Sequence, residues 1–428
     1  MKGKEGSLNS SGEAPIAGKP GFFYGWYVVA ASWMMTFLVA AVAVGIFFKP
    51  MLEEFGWDRA TLSSVQTVAM LGFAAVSPFF GRLIDRFGPR AMLFVCVGTQ
   101  TFTSVVNGLA TSIWHLYIGR FLYGIRALHG TQVLINRWFV KKRGRAHAIA
   151  ATGMPIGTLV LSPVSQYLVL AWGWRPAMLF WAGVSFVIWL PLALLIRDNP
   201  EDKGSGPDGE PLPRRAIPQA EAPETGPGNV RGCCLSEAMR TGPFWLLSAS
   251  HFICGIGCGF MMTHTVIFAT DVGYSAMIGA TLLSVQGGVG LVGILFTGYL
   301  SDRIARSRVL ALTHFVRSLS FIAVVTYLIL GGGSLWLLLV SMGMFGFGWY
   351  TTAPLASGLV ADLFGYRRMG TIIGVTLSCH MLGMAIGAYA GGLTFDLTGS
   401  YYLIFLIQGG LEFLAAVFAF AIRQRALY

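Results

Sequence analysis

Gly81-Arg-Leu-Ile-Asp85-Arg86-Phe-Gly88-Pro-Arg90 is a short, charged, glycine-bearing stretch between two long apolar runs. A second copy, Gly298-Tyr-Leu-Ser-Asp302-Arg303-Ile-Ala-Arg306-Ser-Arg308, follows 217 residues later, about half of the 428-residue chain. In both copies Asp-Arg comes at the same distance after the glycine. Each reads as a turn between the second and third apolar runs of one half, so the chain reads as a duplication. The carboxylates of Asp85 and Asp302 can pair with flanking arginines or stabilise the N-terminus of a neighbouring helix. Gly81, Asp85, Arg86, Gly88 and Arg90, with Asp302 and Arg303 in the looser copy, are therefore read as a cytoplasmic gate, latched in one state and broken in the other.

The composition demands a membrane. The chain is 55% hydrophobic and only 11% charged, with a mean hydropathy of +0.65. A soluble domain cannot hide that much apolar surface. The runs do not alternate apolar and polar residues, which excludes barrel strands and leaves helices. The net charge of +11 reflects basic loops on one membrane face rather than a nucleic-acid partner. Six cysteines form no secreted framework. Cys254 and Cys258, four apart on one helix face, are read as small packing residues, and no metal site or cofactor is expected. The first apolar run is too long for a signal peptide and is read as an uncleaved first helix.

Twelve spans are expected, at 24–48, 60–81, 91–111, 114–138, 146–171 and 175–196, then 244–270, 275–300, 308–330, 335–361, 369–395 and 400–422. The fold class is an all-α membrane protein with twelve transmembrane helices in two pseudo-symmetric six-helix bundles. Residues 1–23 form a tail, 24–196 the first bundle, 197–243 a Pro- and Gly-rich linker, 244–422 the second bundle and 423–428 a second tail. With both termini cytoplasmic, 23 of the 30 Lys and Arg fall in the inner loops and tails, against Lys49, Arg59 and Arg175 outside. That asymmetry sets the orientation in a cell (inner) membrane.

Charged groups inside spans are the informative ones, since an Arg at a helix centre costs ~2.5–3.5 kcal/mol on insertion scales. Of the 19 acids only Glu412 falls mid-span, in helix 12. Helix 4 carries Arg120, Arg126 and His129 on one broad face. A cavity with fixed cations and few acids suits a small anionic substrate, with Arg126 and Arg120 as its contacts. Trp349 and Tyr350, mid-way along helix 10, are read as lining the site. His264 in helix 7, in a segment read as loosened by Gly255, Gly257 and Gly259, is a candidate proton carrier, as are His129 and His380.

The paired loop motif, in register with twelve spans, resembles the major facilitator superfamily. Within it, the first half resembles the monocarboxylate transporter family and its bacterial oxalate:formate antiporter-type relatives. Helix 1 begins Tyr24-Gly25-Trp26 and ends Gly45-Ile-Phe-Phe-Lys49-Pro-Met-Leu-Glu-Glu-Phe-Gly56-Trp57. Helix 5 is entered by Trp138-Phe139-Val-Lys141-Lys142-Arg143-Gly144-Arg-Ala146, then Gly153-Met-Pro155-Ile-Gly157. The resemblance implies that Lys49 handles substrate or proton at the outer mouth. It also implies that helix 12 is peripheral, so Glu412 is not taken as a proton carrier. Arg120-Phe-Leu-Tyr-Gly124 matches a helix-4 pattern of many facilitators, but Gly124-Ile-Arg126 puts a cation where the usual pattern has a second glycine. Helix 8, read from Ala276 to Leu300, lacks the Asp and Arg that family members carry there. Its midpoint is Gln286-Gly-Gly-Val-Gly-Leu-Val-Gly293.

No Gly-x-x-x-x-Gly-Lys-Ser/Thr phosphate loop is present, so a gradient must supply the energy. The expectation is a non-enzymatic secondary transporter of small organic anions, monocarboxylates foremost, coupled to protons and acting as a monomer. An oxalate:formate-type exchanger, an efflux pump for hydrophobic compounds and a non-transporting membrane sensor are the rivals.

Overall fold

The computed structural model describes residues 23–124, 129–210, 234–365 and 369–423, except for the side chains of 77–82, 85, 129 and 130. The first half contains α1 (Gly25–Phe55), α2 (Arg59–Phe87), α3 (Pro89–Gly108), α4 in two stretches (Ile113–Gly124 and His129–Trp138), α5 (Arg143–Trp172) and α6 (Trp174–Leu195). The second contains α7 (Gly242–Asp271), α8 (Ala276–Ser301), α9 (Arg306–Ile329), α10 (Leu335–Phe364), α11 (Met369–Thr398) and α12 (Tyr402–Ala421). At 1.5 Å per residue, 20 residues reach ~30 Å, the thickness of a bilayer core. Among the described residues ten of these helices are long and apolar enough to cross one. Described parts of α2 and α4 occupy the other two positions. With an even number of crossings, the start of α1 (Gly25) and the end of α12 (Ala421) lie at one end of the bundle, here the terminal end; the other is the distal end. Trp114, Trp172 and Trp336, all exposed, ring the distal end where indoles favour a membrane–water boundary.

Several helix ends differ from the sequence reading. α1 runs on to Phe55, past Pro50, and stops where Gly56 adopts a left-handed φ of +65°. A 3-10 turn at Ala40–Val42 interrupts it. The motif at Gly81 is not a turn along its length. α2 continues through it to Phe87, and the break is Gly88 alone, at φ +80°, with Pro89 opening α3. Only glycine takes that φ without strain, and proline is pre-set for a first helical turn. In the second copy α8 continues to Ser301 and Asp302 is its C-cap.

The first part of the linker, residues 197–210, is more than a spacer. It folds back on the first half, with Trp138 Nε1 donating to Arg197 O (3.1 Å) and Arg137 to Asn199 Oδ1 (3.2 Å). Asp208 accepts the backbone N–H groups of Val140 (2.9 Å), Lys141 (2.6 Å) and Lys142 (3.1 Å). Its partial burial pushes the carboxyl pKa up, but these three donors outweigh that and hold it below its ordinary value.

The halves meet through α2 on α11, α5 on α8, and the distal part of α1 on α7. Exchanging the halves turns α2 into α8 and α5 into α11, so the first two contacts are equivalent under a two-fold axis and α1–α7 lies on it. Within the second half, Gly255 and Gly259 of α7 face the carbonyls of His380 and Met384, while Gly383 and Gly387 of α11 face those of Phe252 and Ile256. A Cβ at any of the four would stand 1.9–2.1 Å from an oxygen. These glycines do not loosen α7, which runs unbroken for 30 residues. They let two backbones touch.

Candidate functional site

At the distal end a chain of polar contacts closes the halves on each other. Arg59, at the start of α2, clamps the Asp271 carboxylate of α7 with both guanidinium nitrogens, one at 2.9 Å. The same guanidinium donates to Tyr401 Oη (2.9 Å) and lies 3.5 Å over the Phe395 ring. The backbone N–H of Ala60 donates to Asp396 of α11 at 2.7 Å. Tyr401 Oη is in turn 3.0 Å from His264 Nδ1, and His264 Nε2 is 2.9 Å from Ala388 O and 3.3 Å from Ser63 Oγ of α2. Neutral imidazole fits this with Nε2–H donated to the carbonyl and Nδ1 accepting from tyrosine. Phe48 packs on the His264 ring at 5.4 Å between centroids. Lys49, one residue on, is part-exposed beside the closed mouth and pairs with Glu53 at 3.8 Å.

Deeper, α5 is the shared wall. On one side Trp33 Nε1 of α1 donates to Thr152 Oγ1 (3.0 Å) and stacks on Phe37 (5.1 Å). On the other, Tyr350 Oη of α10 donates across the halves to Thr158 Oγ1 (3.0 Å), and Trp349 stacks on Tyr350 (4.9 Å). Tyr350 and Thr158 each lie about half-way along their helices, so hydroxyls and aromatic faces gather at mid-depth. Further toward the terminal end, the contacts of both motif copies among the described residues lie within a half. Arg90 takes Asp198 through its backbone N–H (2.8 Å) and Leu194 O through Nη2 (2.8 Å). Arg306 pairs with Asp362, while Arg303 covers Tyr299 and Arg86 covers Phe87. The Asp85 side chain lies outside the described residues.

Arg126 and the His129 side chain lie outside the described residues. Arg120 is buried against Thr103, Ser104, Asn107, Tyr123, Val42 and Met178, a niche of about 10 Å³ among α1, α3, α4 and α6 of its own half.

A second polar cluster was not legible as a unit. Arg317 (α9) and Glu412 (α12), both fully buried, form an ion pair of 2.6 Å, and Glu412 also meets His314 Nδ1 at 2.9 Å. Glu412 thus faces the inside of the second half rather than its periphery, and Arg317 adds no net positive charge there. Arg317 further donates to Cys254 Sγ (2.7 Å) and Cys258 Sγ (3.4 Å). His380 joins the two thiols from α11. The signal in the sequence was the coincidence of one mid-span acid with one mid-span arginine in the same half.

This geometry, two six-helix halves joined by exchanged helix pairs around a polar, aromatic mid-depth layer, has counterparts among known proteins. The Major Facilitator Superfamily model matches residues 26–388. The chain belongs to the Major Facilitator Superfamily. Relatives of this facilitator include monocarboxylate transporter 13 of Bos taurus, 25% identical over 90% of this chain and 86% of that one. Monocarboxylate transporter 12 of Rattus norvegicus is 24% identical over 92% and 84%. The uncharacterized MFS-type transporter YcxA of Bacillus subtilis is 25% identical over 89% and 91%. Among solved structures, a bacterial homolog of the human lysosomal transporter Spinster, crystallised in an inward-facing and occupied conformation, superposes with a TM-score of 0.69. It is 15% identical and the match covers 94% of this chain and 97% of that one. The family model and the solved structure agree on the facilitator fold, and the sequence relatives add the relation to monocarboxylate transporters.

Proposed function

We propose that this facilitator carries small organic anions of the monocarboxylate class across a cell membrane, each with a proton, by alternating access. The observation that carries the reading is the chain Asp271–Arg59–Tyr401–His264–Ser63, which ties the distal ends of the halves together. The basic loops assign the terminal end to the cytoplasm, so this state is closed outward. A proton on His264 Nδ1 removes the acceptor that Tyr401 uses and sets a second cation near Arg59. Both effects favour opening. Closing again requires His264 to pass the proton on, and a carboxylate in the mid-depth layer is a suitable acceptor, leaving as a neutral acid. The aromatic faces of Trp33, Phe37, Trp349 and Tyr350 suit the hydrocarbon part of such a substrate, and the hydroxyls of Thr158 and Tyr350 its oxygens. Relatives named as monocarboxylate transporters support the same class. The test is a thermal-shift panel of mono- and dicarboxylates on the purified protein across pH, since a ligand of the folded state raises its melting temperature. Stabilisation by monocarboxylates that strengthens at lower pH is expected. Stabilisation by dicarboxylates alone, or by none of the panel, contradicts the reading.

A further inference from the structure

Cys254 and Cys258 stand one turn apart on α7, fully buried, with their sulfurs 3.9 Å from each other. His380 reaches the same point from α11, and the two sulfurs and a ring nitrogen lie within 4.8 Å of one another. Two thiolates held at ~2.3 Å from one tetrahedral ion are themselves ~3.8 Å apart, so the sulfurs already have the spacing that a single ion imposes. The His380 Nδ1–H donates to His251 O at 3.1 Å, which leaves Nε2 as the lone-pair donor. A backbone carbonyl on the far ring nitrogen is the usual support for a ligating histidine.

Charge and softness narrow the ion. Arg317 donates to both sulfurs, which favours their thiolate form. Its own charge is balanced by Glu412 at 2.6 Å. Two thiolates then call for two positive charges, and a divalent ion leaves the buried pocket neutral. Two sulfurs and one imidazole select a soft or borderline ion and reject magnesium and calcium. We propose that Cys254, Cys258 and His380 form a binding site for one thiophilic divalent cation of the zinc class. Each thiol releases its proton as it binds. Three protein ligands leave the fourth position open, and His380, being only partly buried, marks the side from which the ion enters. The ion joins α7 to α11 beside their glycine seam, within the second half.

The test uses the full purified chain, stripped with a chelator, as wild type and with Cys96→Ser, Cys233→Ser, Cys234→Ser and Cys379→Ser combined, so that only the two candidate thiols remain. Cadmium is titrated and read by its thiolate charge-transfer absorption, with metal content by elemental mass spectrometry and zinc as competitor. The proposal expects one ion per chain in both proteins, displacement by zinc and a zinc-dependent rise in melting temperature. It also expects loss of the band with Cys254→Ser and at least a tenfold weaker affinity with His380→Gln. Absence of the band from the monodisperse four-serine protein overturns it. If that protein does not remain monodisperse, wild type alone decides: binding abolished by Cys233→Ser/Cys234→Ser but untouched by His380→Gln overturns it equally.

Discussion

Arg59→Gln is the sharpest perturbation of the distal closure. It removes a bidentate pair with Asp271, a hydrogen bond of 2.9 Å to Tyr401 Oη and a cation lying 3.5 Å over Phe395, while the backbone contact of Ala60 with Asp396 stays. The paired side chains are 16% and 24% exposed, which lies between two limits. Exposed pairs contribute up to ~1 kcal/mol, and breaking a fully buried pair costs ~3–5 kcal/mol. A value of about 2 kcal/mol is expected, and at 1.4 kcal/mol per decade that shifts the closed-to-open ratio about 30-fold. Spin labels on Trp172→Cys and Leu397→Cys, exposed distal positions in opposite halves, report the separation by double electron–electron resonance. Arg59→Gln should add a population at longer distance that the unsubstituted protein lacks. An unchanged distance distribution in a folded variant would refute the assignment of Arg59 as the closing contact.

Other substitutions probe the packing and the buried charges. Gly387→Val would bring a side chain within 1.9 Å of Ile256 O; it should prevent α7 and α11 from seating and abolish the monodisperse peak in size-exclusion chromatography, whereas Gly298→Ala, with open space around it, should not. Glu412→Gln strands the Arg317 charge in the interior at ~3–5 kcal/mol, so it should lower the melting temperature in detergent, and adding Arg317→Met should recover part of the loss. Asp208 has a depressed pKa, so its stabilisation of the 197–210 segment is complete above the unfolded-state value near ~4 and disappears as pH falls through the lower folded value. Asp208→Asn should therefore speed proteolysis of that segment at neutral pH, and the wild-type segment should reach the same rate only in strong acid.

The twelve helices were legible because a bilayer imposes a length and a composition that each apolar run displays by itself. The repeat was legible because Asp85-Arg86 and Asp302-Arg303 recur at one offset. Helix ends were less so. The expected span ended at Gly81, whereas the Gly88-Pro89 pair is the local signal that marks the break. The glycines of α7 were misread as loosening, since their partners, Gly383 and Gly387, lie on a helix far along the chain. The same separation hid the cluster of Arg317, Glu412, Cys254, Cys258 and His380, which draws on four helices. Arg120 showed its cost of burial in the sequence but not the direction it faces, which is into its own half. Tyr350 and His264 were singled out as candidates from residue type and depth. Their partners across the halves, Thr158 and Ser63, carry no signal that separates them from other small hydroxyls in apolar helices.

Uptake by proteoliposomes under an imposed pH gradient tests the central claim most directly. With the outer solution acidic, a labelled monocarboxylate should accumulate above its equilibrium level, the lumen should acidify in step with uptake, and His264→Gln should abolish accumulation while leaving the protein folded. Uptake that ignores the gradient and proceeds only against a preloaded anion would contradict proton coupling and make the protein an exchanger.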